Sequence, residues 1–152
     1  MQEQDTESVE SDQQTNKQVK VDVVKTADRD QLKNLYKEAG WWTQYEDSAD
    51  PELIDKIIQG SFCFAVASIN DRIIGMGRAI SDGASDAYIQ DVTVSTKFRG
   101  KGIAALIMDT LIQFLKDKNI GWIGLVSEPK AVSFYRRYGL SQMADYVPFI
   151  VK

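Results

Sequence analysis

The stretch of sequence that decides the fold is residues 86–119, DAYIQDVTVSTKFRGKGIAALIMDTLIQFLKDKN. Residues 86–95 are rich in β-branched and aromatic side chains, which predicts a largely buried strand. From Ile103 onward, apolar residues recur at helical spacing and polar residues occupy the opposite face. Between the strand and the helix lies a short basic turn, KFRGKG, at residues 97–102. The sequence therefore predicts a strand, a turn and a helix in direct succession.

The turn has the chemistry of an anion-binding loop. The first turn of a helix carries unpaired backbone N–H groups and the positive end of the helix dipole. Gly100 and Gly102 remove the side chains that would keep a phosphate from those groups. Lys97, Arg99 and Lys101 add positive charge. A diphosphate is a plausible ligand, and the turn taken alone leaves open the alternative of a surface turn with solvated charges.

Other nucleotide-binding motifs fit the turn less well. The P-loop string G-x-x-x-x-G-K-[ST] does not occur in the sequence. A dinucleotide fingerprint needs a third glycine or alanine, and Ala105 gives only a loose match. The fingerprint also belongs to an early βαβ unit, whereas the strands before the turn are joined by Asn70-Asp71, which is typical of an antiparallel hairpin. A dinucleotide-binding site is therefore a weak hypothesis for this turn.

Two segments of the sequence resemble the motifs of one protein family. Residues 92–104, VTVSTKFRGKGIA, look like motif A of the GNAT superfamily of N-acetyltransferases, in which a hydrophobic strand end precedes Gln/Arg-x-x-Gly-x-Gly/Ala. Residues 131–140, AVSFYRRYGL, look like motif B, which commonly ends in Phe-Tyr-x-x-x-Gly-Phe. The segments stand in the family's order and at its usual separation. The resemblance covers roughly residues 19–152, and Lys97 is a mild departure because the family usually has Gln or Arg there.

The pattern and the resemblance together predict an α/β (α+β) fold. The expected architecture is a GNAT-like mixed, mostly antiparallel central sheet flanked by helices, with a splayed central strand pair. Strands are expected at 19–25, 61–69, 72–80, 86–95, 122–127 and 141–151, and helices at 27–39, 50–60, 101–118 and 129–139. Residues 1–18 form a polar, acidic tail that is expected to be disordered, which leaves residues 19–152 as a single N-acetyltransferase domain.

Charge and composition exclude several function classes. Five of the 22 acidic residues lie in residues 1–16, so the rest of the chain holds 17 acidic and 18 basic residues. This near-neutral balance favours neither a nucleic acid nor an anionic membrane as a partner. The chain has no histidine, which removes the usual general base and the commonest metal ligand, so no metal is expected. A single cysteine, Cys63, and the absence of an apolar N-terminal region predict a cytoplasmic protein.

The resemblance implies acetyl-CoA as the acyl donor and co-substrate. The diphosphate of coenzyme A would bind the backbone N–H groups of residues 99–104, and the pantetheine arm would lie in the splay of the central strand. The cofactor-binding residues that this implies are Val92, Thr93, Val94, Lys97, Arg99, Gly100, Lys101, Gly102, Ile103 and Ala104. The N–H of Val94 would polarise the thioester carbonyl, as the donors of an oxyanion hole do.

Two residues are candidates for the proton transfers. Tyr135 matches the motif B tyrosine that many family members use as general acid, although it could also belong to the packed face of an amphipathic helix. Asp91 is a charged residue inside an apolar strand, where burial would make it a better base. It could instead be a structural carboxylate, or it could bind the amine without taking its proton. Glu128 is a second acidic candidate at the acceptor site.

The resemblance places the acceptor pocket at the loop between the first two helices. That loop carries Trp41, Trp42, Tyr45 and Glu46, followed by Asp47. Aromatic faces and acidic groups suit a cationic amine, although the tryptophans could equally pack beneath the loop. The predicted function is acetyl transfer from acetyl-CoA to a primary amine by direct attack in a ternary complex. The alternative is a non-catalytic acetyl-CoA-binding sensor or interaction module, and the resemblance also permits a homodimer.

Overall fold

The chain folds as a five-stranded sheet with helices on both faces, as described by a computed structural model for residues 18–42 and 50–152. The strands are β1 (Lys20–Val23), β2 (Cys63–Ile69), β3 (Arg72–Ser81), β4 (Asp86–Val94) and β5 (Trp122–Leu125). The helices are α1 (Arg29–Glu38), α2 (Leu53–Gly60), α3 (Ile103–Asp117) and α4 (Val132–Tyr138). Short 3₁₀ turns at Thr96–Phe98 and Pro129–Ala131 precede α3 and α4.

The strands lie in the sheet in the same order as in the sequence, from β1 to β5. The first four strands pair antiparallel, and β5 pairs parallel to β4. Asn70 turns the chain between β2 and β3 in the left-handed conformation, with φ of 51°. A parallel pair needs a crossover connection, and α3 provides it between β4 and β5. The predicted mixed, mostly antiparallel sheet is confirmed.

The central strand pair separates halfway along β4. Pairing with β5 runs from Asp86 opposite Trp122 to Ile89 opposite Leu125. Strand β4 continues to Val94, whereas β5 has already ended. The predicted splay therefore lies between the second half of β4 and the chain that follows β5.

The sheet separates two hydrophobic cores. On one face, α3 buries an apolar stripe that includes Ile107, Leu111 and Leu115 against the middle strands. On the other face, α1 and α2 bury residues such as Leu32 and Ile58. Each helix keeps its apolar residues on one side, as expected of a helix that lies on a sheet. The sheet is thus covered on both faces, and β4 lies within it between β3 and β5.

Helix α3 packs directly over two residues of β3 that have no side chain, Gly75 and Gly77. A Cβ atom built on Gly77 would lie 2.8 Å from Cγ2 of Ile107 and 3.0 Å from Cδ1 of Leu111. One built on Gly75 would lie 2.9 Å from Cδ1 of Ile107. Both positions would clash with a larger residue, so these glycines set the distance between α3 and the sheet.

The prediction of a strand at 141–151 is wrong for the single chain. Residues 141–152 are exposed throughout, and the described part of the chain contains no strand there. A strand needs a neighbour for its hydrogen bonds, and this chain does not bring its C-terminal segment beside one. The expected disordered tail, apart from Gln18, lies outside the described residues. None of the helices described is long and apolar enough to cross a membrane.

Candidate active site

The turn before α3 has the backbone geometry that an anion site needs. Gly100 and Gly102 have φ of 75° and 80°, a conformation that side chains disfavour. A Cβ built on Gly100 would meet no atom within 4 Å, so the space above it is open. Gly102 is the N-cap of α3 and makes no side-chain capping hydrogen bond. The first N–H groups of a 15-residue helix are therefore directed at an open corner.

A cavity of about 600 Å³ runs from this corner into the splay between β4 and β5. Most of the residues predicted to bind the cofactor line it, namely Val92, Thr93, Val94, Arg99, Gly100, Gly102, Ile103 and Ala104. Lys97 and Lys101 belong to the same turn but stand outside the lining residues. An extended ligand that ends in a diphosphate fits this arrangement, because the anionic end would meet the helix N-terminus.

Glu38 holds the start of this turn, and the sequence analysis missed it. Its carboxylate accepts hydrogen bonds from the N–H of Thr96 at 2.8 Å, from Oγ1 of Thr96 at 3.1 Å and from Oγ of Ser95 at 3.3 Å. These bonds, led by that of the Thr96 N–H, keep the pKa of Glu38 below its usual value. Glu38 is the last residue of α1, where the helix dipole disfavours an acid. An acidic residue at the C-terminal end of a predicted helix is therefore a sign, visible in the sequence, that the side chain has another role.

The end of β4 is held by a second contact. Nε of Arg99 donates to the carbonyl oxygen of Val94 at 2.9 Å. The N–H of Ser95 donates to Ile74 of β3 at 2.7 Å. Successive residues of a strand point their backbone groups in opposite directions, so the N–H of Val94 is directed away from β3 and into the splay. The side chain of Arg99 thus stabilises the strand end beside the cavity.

Asp91 lies in a distorted part of β4. Its φ is 55°, and the register between β3 and β4 shifts between Met76 and Arg78. Its Oδ2 accepts hydrogen bonds from the hydroxyl of Tyr36 at 2.8 Å and from Nε of Arg78 at 2.6 Å. This conformation is uncommon for a non-glycine residue, and it accompanies the irregularity in the strand pairing. Both bonds use Oδ2, which leaves Oδ1 for a further partner.

A second cavity, of about 580 Å³, opens on the other side of Asp91. Its aromatic and apolar walls include Tyr36, Leu53, Ile57 and Tyr88, with Arg78 beside Asp91. The two cavities share the lining residues Trp41, Ile89, Gln90, Asp91, Val126 and Glu128. Two ligands, one in each cavity, would therefore meet at the carboxylates of Asp91 and Glu128.

Glu128 follows β5 and is fixed by the loop after α1. Nε1 of Trp41 donates to Oε1 of Glu128 at 2.7 Å, and Nζ of Lys130 lies 3.0 Å from Oε2. The hydrogen bond from Trp41 and then that from Lys130 keep the pKa of Glu128 below its usual value. Glu128 therefore stays ionised at neutral pH, as a group that binds a cation must.

The residues predicted from the first loop differ in where the structure places them. Trp41 lines both cavities. Trp42 is only 7% exposed and belongs to the core under α1, with its ring centre 5.9 Å from that of Tyr36. Tyr45, Glu46 and Asp47 lie outside the described residues. The indole of Trp41 is thus the aromatic group that the described part of this loop brings to the site.

Two tyrosines of α4 differ sharply in their surroundings. Tyr135 lines the first cavity with its ring 5.0 Å from that of Phe134, and burial, with a smaller effect of Glu128, raises its pKa. The hydroxyl of Tyr138 donates to Asp109 of α3 at 2.6 Å, which ties the two helices together. Burial and this bond raise the pKa of Tyr138 as well. Tyr138 is therefore a structural residue, whereas Tyr135 reaches the candidate site.

Cys63 takes no part in this site. Its side chain is buried in the core on the α3 face, and burial raises the pKa of its thiol to about 11. A thiol in such surroundings is protonated and unreactive at neutral pH.

Comparisons with known proteins agree with the fold. Residues 26–140 match the Acetyltransferase (GNAT) family. The chain is 37% identical over 78 residues to the uncharacterized N-acetyltransferase ycf52 of Pyropia yezoensis, a match that covers 51% of this chain and 45% of that protein. It is 41% identical over 68 residues to the histone acetyltransferase TAP1 of Glycine max, which covers 45% of this chain and 29% of that protein.

A solved structure shares the fold over almost its whole length. SA2161, a probable acetyltransferase from meticillin-resistant Staphylococcus aureus, aligns with a TM-score of 0.73 and 23% identity, covering 88% of this chain and 98% of that one. The chain matches less than half the length of the two curated relatives. Since the family match spans residues 26–140 of 152, the chain belongs to the Acetyltransferase (GNAT) family.

Proposed function

We propose that this protein is an N-acetyltransferase that moves the acetyl group of acetyl-CoA to a primary amine by direct attack in a ternary complex. The observation that carries the proposal is the meeting of two cavities at Asp91 and Glu128. One cavity leads to an uncapped helix N-terminus, and the other is lined by aromatic rings. The helix N-terminus suits an anionic donor, and the aromatic rings and the two carboxylates suit a cationic acceptor.

Acetyl-CoA, the donor, fits the first cavity. The N–H groups of residues 99–104 would bind its diphosphate, with positive charge from Lys97 and Lys101 nearby. The pantetheine arm would lie along Val92, Thr93 and Val94, in the splay of the sheet. When bound, this co-substrate supplies an acyl group that is already activated as a thioester.

The acceptor amine fits the second cavity. Glu128 and the ring of Trp41 would hold its cationic form through charge and the ring face. A lysine-like amine has a pKa of about 10.4 and must lose a proton before it attacks. Oδ1 of Asp91 would take that proton, while Arg78 and Tyr36 hold Oδ2 in place.

The chemical step needs one more proton donor. The amine nitrogen forms a bond to the carbonyl carbon, and the bond between that carbon and sulfur breaks. The N–H of Val94 would stabilise the negative charge on the carbonyl oxygen. Tyr135 would protonate the departing thiolate of coenzyme A, and the second proton that the nitrogen loses as it becomes an amide would return to the phenolate of Tyr135. Because burial raises the pKa of Tyr135, it keeps its proton at neutral and mildly alkaline pH.

The second cavity favours an amine on an apolar or aromatic body. Its walls include Tyr36, Trp41 and Tyr88 with Leu53 and Ile57. Among the described residues that line it, Arg78 is the cation, and it is already paired with Asp91 at 2.6 Å. An arylalkylamine would bury its ring against these walls and place its amino group at the two carboxylates.

The test is release of coenzyme A thiol in the presence of an amine panel. Acetyl-CoA is mixed with tryptamine, spermidine, glucosamine or a lysine-containing peptide, and the acetylated product is identified by mass spectrometry. We expect turnover, fastest with tryptamine. Cys63 is buried and adds little to the thiol signal. Tight acetyl-CoA binding without thiol release from any amine would contradict the enzyme and support a sensor.

A further inference from the structure

One lysine of the chain already occupies the carboxylate that is proposed to bind the acceptor amine. Nζ of Lys130 lies 3.0 Å from Oε2 of Glu128. Glu128 lines both cavities, at the point where a donor and an acceptor would meet. The side chain of Lys130 ends in a primary amine, which is the group that the proposed function acetylates. Lys130 therefore stands where the amino group of a substrate is expected.

The backbone holds Lys130 and Glu128 beside each other. Glu128 is the N-cap of the 3₁₀ turn Pro129–Ala131, which contains Lys130 and precedes α4. The N–H of Ala131 and Oγ of Ser127 both donate to the carbonyl oxygen of Glu128, each at 2.9 Å. The proline between the two residues restricts the backbone further. The pairing of the lysine with the carboxylate is thus built into one short turn.

Lys130 also lines the donor side of the site. It borders the first cavity together with Tyr135, the proposed acid. Among the lysines that the structure describes, it is the one that lines either cavity. Lys97 and Lys101 lie in the turn before α3, at the end proposed for the diphosphate rather than for the thioester. The side chain of Lys130 is 72% exposed, so packing does not prevent its movement from Glu128 into the open cavity.

We propose that Lys130 is a modification site, and that the protein transfers an acetyl group from acetyl-CoA to this lysine of its own chain. The proposal rests on the proposed function, since it uses the same donor and the same catalytic groups. An amine that binds Glu128 would displace Lys130 and be acetylated in its place. Self-acetylation is therefore expected when acetyl-CoA is bound and the acceptor cavity holds no amine.

Transfer to Lys130 has the same balance of atoms and protons as transfer to a free amine. The ammonium group of Lys130 first loses a proton to Asp91, which passes it to water. Nζ then forms a bond to the carbonyl carbon of acetyl-CoA, and the bond between that carbon and sulfur breaks. Tyr135 protonates the departing thiolate, and its phenolate takes the second proton that the nitrogen loses. The products are an amide at Lys130, coenzyme A and one proton released to water.

Acetylation of Lys130 would change how strongly the protein binds a substrate amine. It removes the positive charge of the side chain, so the cation that competes for Glu128 is lost. Because exposed ion pairs are weak, the KM for the amine should fall only by about two- to fivefold. Lys130→Gln also lacks the charge and should have the lower KM, whereas Lys130→Arg keeps a cation and should have the higher one.

The experiment incubates the full chain with acetyl-CoA in the absence of any amine. Mass spectrometry of the intact chain and of its peptides should find one acetyl group, on Lys130. Lys116, an exposed lysine of α3, measures the chemical acetylation that needs no catalysis. Lys130 should react about tenfold faster or more, because the site positions it. Excess tryptamine should protect Lys130 and leave Lys116 unprotected.

Two results would overturn the inference directly. The first is equal acetylation of Lys130 and Lys116. The second is a rate per molecule that rises with protein concentration, because transfer within one chain does not depend on that concentration.

Variants separate this inference from the proposed function. Asp91→Asn and Tyr135→Phe should each slow acetylation of Lys130 by about 10²-fold, as they slow that of a free amine, without affecting Lys116. Acetylation of Lys130 at an unchanged rate in both variants would show that the site does not catalyse it. A protein that acetylates tryptamine but not Lys130 would refute this inference alone. Binding of acetyl-CoA without transfer to any amine or to Lys130 would refute the proposed function.

Discussion

The turn into α3 and the pocket around Asp91 are built in different ways. The turn is local, because its backbone groups come from residues 94–104 and its shape depends on Gly100 and Gly102. The pocket is assembled from Tyr36, Arg78 and Glu128, which are far apart in the sequence. A local site can be recognised from a short motif, whereas an assembled site needs the fold. The same difference predicts how each region responds to mutation.

The largest effect is expected from Gly102→Glu. The new residue would be strained at φ of 80°, and its carboxylate would stand where the diphosphate is proposed to bind. Acetyl-CoA binding, measured by calorimetry, should be lost. Lys116→Glu, which adds the same group at the far end of α3, should bind normally. Retained binding in Gly102→Glu would mean that the turn does not hold the diphosphate.

The next effect separates the two tyrosines of α4. Tyr135→Phe should lower kcat by about 10²-fold or more while acetyl-CoA still binds, because the proposed proton donor is removed. Tyr138→Phe removes the bond to Asp109 and should cost about 1 kcal/mol of stability with little change in kcat. Steady-state kinetics and thermal unfolding measure both. Equal kcat in the two variants would exclude Tyr135 as the acid.

Substitution of the two carboxylates of the pocket should change different kinetic constants, kcat for one and the KM for the amine for the other. Asp91→Asn removes the proposed base, so kcat should fall by about 10²-fold. Glu128→Gln removes charge from the amine site, so the KM for the amine should rise about tenfold with kcat nearly unchanged. Initial rates over a range of amine concentrations measure both constants. If Glu128→Gln lowers kcat more than Asp91→Asn does, their proposed roles are reversed.

The smallest effect should come from Glu38→Gln, which tests the support beneath the turn. Weaker bonds to Ser95 and Thr96 should raise the KM for acetyl-CoA several-fold, and kcat should not change.

The pKa of Glu38 is lowered in the fold, so its contribution to stability is present above its unfolded pKa and is lost as pH falls through its folded pKa. The variant should therefore lose about 1 kcal/mol at pH 7 and less in acid. An equal loss at both pH values would contradict this.

A feature could be predicted from the sequence when the residues that contact each other lie close together along the chain. The strand, turn and helix of 86–119 were predictable because periodicity and glycines act within a few residues. Glu38 and Arg78 were missed because their partners, Thr96 and Asp91, lie 58 and 13 residues away. Sequence could not decide whether Trp42 packs in the core or lines the pocket, because an aromatic residue after a helix suits either. The C-terminal strand was predicted from composition, but a strand also needs a neighbour.

The glycines of β3 lie beneath the helix whose N-terminus is proposed to bind the acyl donor. Ile107 packs over Gly75 and Gly77, one helical turn from Ile103, which lines the first cavity. A side chain at Gly75 or Gly77 would displace Ile107, and whatever part of that shift reached the helix backbone would move its positive end relative to β4. Donor affinity could therefore be tuned through β3, at positions that line neither cavity.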